Sequence, residues 1–94
     1  MSGWPRVARL DGRQRTKAAV MRKLRRDLRL PRHFGGNLDA LFDSLTTDVG
    51  GPVRVSWHVT KGAAAGLGDD LAPLRRTMEE AAAERPDLEV AIRG

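Results

Sequence analysis

The apolar positions change their period along the chain, and each change marks an element. Residues 5–11 (PRVARLD) read as a short strand ending in an Asp-Gly turn at Asp11-Gly12. From Thr16 to Leu30, Val20, Met21, Leu24 and Leu28 recur at helical spacing with Arg and Lys between them, which predicts an amphipathic helix. Thr16 offers the N-cap. Pro31 is expected to stop this helix, because the residue before a proline is pushed out of the α region. His33-Phe34-Gly35-Gly36 then reads as a loop whose glycines can take positive φ.

Asn37 is placed to cap a second, short helix, with Leu38, Leu41, Phe42 and Leu45 at i, i+3, i+4 and i+7. Gly50-Gly51-Pro52 breaks it. The clearest strand follows: Val53, Val55, Trp57 and Val59 alternate with Arg54, Ser56 and His58. Lys61–Gly68 (KGAAAGLG) reads as a loop or a weak helical turn. Asp69 or Asp70 is expected to cap a third long helix, with Pro73 tolerated in its first turn and Leu71, Leu74, Met78 and Ala81 as its buried stripe. Pro86 stops that helix, and Leu88–Arg93 alternates as a last strand.

Helices between successive strands favour parallel pairing, since a parallel crossover needs a long connection. Strands covered on both faces would show continuous apolar runs, whereas these alternate. The pattern therefore predicts a two-layer α/β domain, a three-stranded parallel sheet with three to four helices on one face. No repeat and no second domain is visible, so residues 1–94 are expected to form a single domain, with 1–4 a flexible extension.

Composition narrows the function. The chain has 94 residues, 40% of them hydrophobic, and no cysteine, which excludes disulfide and thiolate chemistry. No apolar run approaches the roughly 18 residues of a membrane span, and a soluble, cytoplasmic protein is expected. The net charge of +5 is unevenly spread. Residues 1–35 hold eleven Lys/Arg against Asp11 and Asp27, while residues 36–94 hold six Lys/Arg against ten Asp/Glu. The basic run Arg22–Arg32 has leucines at 24 and 28 that fix one face in the core. No aromatic platform accompanies it, so nucleic-acid binding through Arg22, Lys23, Arg25, Arg26 and Arg29 is a lesser alternative to a solvated face.

Catalysis finds little support. His33 and His58 belong to no metal-ligand spacing, and nothing specifies an orienting acid or oxyanion hole for Ser44 or Ser56. Neither glycine pair matches a phosphate or dinucleotide loop. No catalytic residue, metal or cofactor is expected. Asp39 and Asp43 stand out instead. They lie four apart on one face of the second helix, with no basic residue between Arg32 and Arg54. Like charges so spaced cost a helix a few tenths of a kcal/mol, roughly. Spacing alone favours an ordinary solvated face over a docking surface.

The block LPRHFGGNLDALFDSL (Leu30–Leu45) resembles the signature of the barstar family: a Leu-Pro, an aromatic pair, a Gly, then Asn-Leu-Asp-Ala-Leu-aromatic-Asp-x-Leu. A weaker likeness covers Val7–Asp11, Pro52–Trp57, Met78–Ala83 and Asp87–Ile92. The resemblance implies an intracellular inhibitor, free as a monomer, that binds a secreted guanyl-specific ribonuclease one to one. It implies that Asp39 and Asp43 enter the nuclease active site in place of RNA phosphates. By the same likeness, His33, Phe34, Gly35, Gly36 and Asn37 pack against the enzyme, Phe42 and Thr46 border the acidic pair, and Glu80 makes a peripheral acidic contact. A barstar-like module for a non-nuclease partner is the alternative. His33 stands where the family commonly has Tyr, Phe42 where it commonly has Trp, and Asp48 at the place of another interface aromatic.

Overall fold

The computed structural model describes residues 6–31 and 36–94. The expected single domain's extension at 1–4 and the loop residues His33, Phe34 and Gly35 lie outside the described residues. The elements are β1 (Arg6–Leu10), α1 (Lys17–Leu28), α2 (Leu38–Asp43) running into a π-helical turn (Ser44–Asp48), β2 (Val53–His58), α3 (Lys61–Leu67), a 3₁₀ turn (Gly68–Asp70), α4 (Leu71–Glu84) and β3 (Leu88–Arg93).

The strands form one parallel sheet in the order β1-β2-β3. Alternation decides which side is covered. Ala8, Leu10, Val53, Val55, Trp57 and Leu88 are buried, whereas Arg9, His58, Glu89 and Arg93 on the other side are exposed. The buried side meets Val20, Met21, Leu24 and Leu28 of α1, Leu41 of α2, Leu45 of the π turn, and Leu74, Met78 and Ala81 of α4. This is the two-layer α/β arrangement the alternation predicts.

Helix boundaries differ from expectation at three places. The first helix stops at Leu28, before Pro31 can act. Arg29 adopts a left-handed conformation (φ 54°, ψ 50°), and the amides of Arg29 and Leu30 both reach the Arg25 carbonyl. Leu30 then turns back into the core, so a reversal closed by an apolar contact ends this helix.

Of the loop or weak helical turn expected in the glycine-rich stretch, the structure has the helical alternative, extended to a full helix over Lys61–Leu67. Thr60 caps it by accepting from the Ala63 amide at 3.1 Å, and Ala63 and Leu67 are buried one turn apart. Gly66 lets this helix approach the β1–α1 loop: a Cβ there would lie 2.5 Å from the Arg15 carbonyl oxygen. The α3 glycines serve packing, not chain reversal.

Neither Asp69 nor Asp70 caps α4 through its side chain. The 3₁₀ turn delivers the chain with Asp70 already helical (φ −77°, ψ −19°), so the Leu71 amide bonds the Gly68 carbonyl instead. A side-chain cap needs an extended residue at that point.

Candidate functional site

The short α2 is fixed at its start by Asn37, which is extended and accepts from the Ala40 amide at 2.7 Å. Asn37 itself is exposed. Gly36 precedes it at φ 69°, a conformation that favours glycine. Leu41 is fully buried and Leu38 and Phe42 half-buried against the core. That anchorage sets the helix rotation, and it leaves Asp39 and Asp43 exposed.

Six residues have too little length to hold a helix alone, and the π turn after them is secured from several sides. The Val49 amide bonds the Ser44 carbonyl at 3.1 Å, and the Ser44 hydroxyl donates to Asp48 Oδ2 at 3.2 Å. Thr46 donates to the Phe42 carbonyl at 2.8 Å, so its hydroxyl hydrogen is committed within its own helix. Arg85, at the end of α4, donates to the carbonyls of Leu45 and Val49 at 3.1 and 2.5 Å, and also to that of Gly51. Its Nε reaches Asp87 Oδ1 at 2.5 Å. This contact holds the Asp87 carboxyl below the ordinary aspartate range, through the hydrogen bond first, against a smaller opposing effect of desolvation. Neither Arg85 nor Asp87 is marked by any local sequence pattern.

Beside α2 lies an open groove of about 330 Å³ lined by Leu38, Asp39, Phe42, Asp43, Thr77 and Glu80. Three carboxylates border it, and no cation among the described residues does. Glu80, from α4, thus shares a surface with the acidic pair of α2, although 37 residues separate it from Asp43. Thr77, buried beneath the groove, is a floor residue that apolar periodicity does not single out.

The described basic residues of α1 lie elsewhere. Arg22, Arg25, Arg26 and Arg29 are exposed on or just beyond α1, while Lys23 is half-buried and paired with Asp27. Arg26 Nε is 3.9 Å from the other oxygen of Asp27. No helix among the described residues is long and apolar enough to cross a membrane. Among those residues no three His, Cys, Asp or Glu side chains cluster to hold a metal.

Residues 6–93 match the family model described as barstar, the barnase inhibitor. The chain belongs to the barstar family. No curated protein matches it. Family membership covers every described element, from β1 to the end of β3, and it carries a barnase-inhibitor-like role in general terms. It is a family of inhibitors, not of catalysts. In this barstar frame, Asp39, Asp43, Phe42 and Glu80 meet at one groove. Asn37 and Gly36 begin the helix that carries it, and Thr46 closes the turn behind it.

Proposed function

We propose that this chain inhibits a secreted guanyl-specific ribonuclease by seating α2 and the loop before it in the enzyme's active site, as a one-to-one complex. The observation that carries this reading is the clustering of Asp39, Asp43 and Glu80 round one groove in a chain whose net charge is +5. A ribonuclease cleft is positive because it binds phosphodiesters. Exposed carboxylates held by a rigid helix substitute for those phosphates and form short, charge-assisted, bidentate bonds to guanidinium groups. No chemistry is needed, since occupation excludes RNA.

Asp43 takes the central place and Asp39 the neighbouring one, with Glu80 at the rim. Glycines before α2 let that loop lie close to the enzyme, and exposed Asn37 adds a polar contact there. The inhibitor acts in the cytoplasm as an immunity protein for the cell that makes the nuclease. Absence of cysteine accords with a reducing compartment. A basic inhibitor gains little long-range steering toward a basic enzyme, although charges beyond about 8 Å are largely screened at physiological salt. The target that fits is a ribonuclease of lower overall charge that keeps a positive catalytic cleft. Titrating the protein into a co-encoded guanyl-specific ribonuclease tests this. Activity is expected to vanish at one equivalent; full activity in the presence of micromolar inhibitor ends the reading.

A further inference from the structure

The two edges of the sheet are finished differently. On the β1 edge the outward amide of Arg9 donates to Asp27 Oδ2 at 3.2 Å, so an α1 carboxylate takes up one outward group of that strand. On the β3 edge the ladder itself shows which groups are open. The Val53 amide bonds the Asp87 carbonyl and the Val59 amide bonds the Arg93 carbonyl, so odd-numbered residues of β3 turn their backbone toward β2. Leu88, Val90 and Ile92 turn theirs outward. The Leu88 amide folds back to the Arg85 carbonyl at 3.1 Å. The amides and carbonyls of Val90 and Ile92 meet no partner among the described residues, and both side chains are only half-buried. An apolar strand edge left in this state is a pairing surface.

We propose that a second copy of this chain pairs its own β3 antiparallel across this edge, joining two sheets into one. Charge complementarity selects the occupant and the register. With Ala91 opposite Ala91 of the second copy, Val90 lies opposite Ile92, and each such pair exchanges both its N–H···O=C bonds. Glu89 then faces Arg93 of the second copy at the non-hydrogen-bonded position, where Cα atoms approach to about 4.5 Å. Both residues project from the open face of the sheet, where Glu89 already has Arg54 3.3 Å away. Arg93 is exposed and pairs with no carboxylate among the described residues. Asp87 is held by Arg85 and does not compete. A two-fold through the Ala91 pair sets β3 against β3, so neither copy keeps an open β3 edge within the pair. No residue lining the α2 groove lies on β3.

Sedimentation of the full chain from micromolar to millimolar concentration tests the pairing. The expected result is a shift from one-copy to two-copy mass. E89R and R93E each set like charges opposite one another and are expected to weaken association about tenfold or more. An equimolar mixture of the two variants places opposite charges together again and is expected to restore the dimer. Val90→Pro removes an outward N–H without touching the ladder to β2, and is expected to give one-copy mass with an unchanged melting curve. Should that variant unfold, the charge pair alone decides. One-copy mass at millimolar concentration, open-ended assembly, or a dimer indifferent to both charge variants overturns the proposal.

Discussion

Arg85 donates to the Val49 carbonyl at 2.5 Å, so a guanidinium at the end of α4 fastens the far end of the segment that carries Asp39 and Asp43. The same group bonds the Leu45 carbonyl at 3.1 Å and the Asp87 carboxylate. A π turn leaves carbonyls without their usual partners, and here one side chain supplies them. The position of the acidic helix therefore rests on a cation that is only 13% exposed and lies outside the groove.

Arg85→Ala is expected to destabilise the protein by about 2–4 kcal/mol, given roughly 1.5–3 for a hydrogen bond to a charged group and the carbonyls left unpaired. Arg85→Lys keeps the charge but not the planar fork, and is expected to recover only part of the loss. Urea denaturation measures both. Equal stability of all three proteins would show that the carbonyls find other partners.

Acid should loosen the same junction. Asp87 is held below its ordinary value of 3.8 by Arg85. A carboxyl with a depressed folded pKa contributes stability that is fully present above the unfolded value and is lost as pH falls through the folded one. The loss is thus expected below about pH 4. Asp11, depressed in the same direction by its hydrogen bonds from Arg13, adds a weaker, solvent-screened contribution. Thermal melting of Asp87→Asn from neutral to acid pH should show a flatter acid limb than the parent. Superimposable acid limbs would remove Asp87 from the account.

Much of this frame is legible in the sequence. The strand Leu88–Arg93 begins and ends where its alternation says, and Val20, Met21, Leu24 and Leu28 are the buried stripe of α1. Both follow from strict periods imposed by one covered sheet face. What escapes is either masked by composition or non-local. Glycines at 62 and 66 disguise α3, although Thr60 supplies its cap. Arg85 meets carbonyls 34 to 40 residues earlier, so no window of sequence contains both partners. The site is split in the same way. Asp39 and Asp43 are visible as a pair on one helix, but that Glu80 shares their groove depends on how α4 packs on α2.

The left-handed Arg29 offers a gain in stability. A non-glycine residue pays roughly 1–2 kcal/mol to adopt that conformation, and glycine is the usual residue at such a helix end. Arg29→Gly is expected to stabilise the protein by about 0.5–1 kcal/mol after the greater freedom of glycine in the unfolded chain is subtracted. A rise in the urea midpoint checks it, and a fall would mean that the Arg29 side chain contributes more than its backbone costs.

The central claim is that Asp43 enters a ribonuclease active site, and inhibition by Asp43→Ala tests it most directly. Removing one partner of a buried charge pair costs about 2–5 kcal/mol, a range drawn from interfaces that include a barnase complex with its barstar inhibitor. The inhibition constant against the co-encoded ribonuclease is therefore expected to rise about 30- to 4000-fold, with Asp39→Ala rising less and the urea midpoint of both variants little changed. An inhibition constant for Asp43→Ala equal to that of the parent would contradict the account.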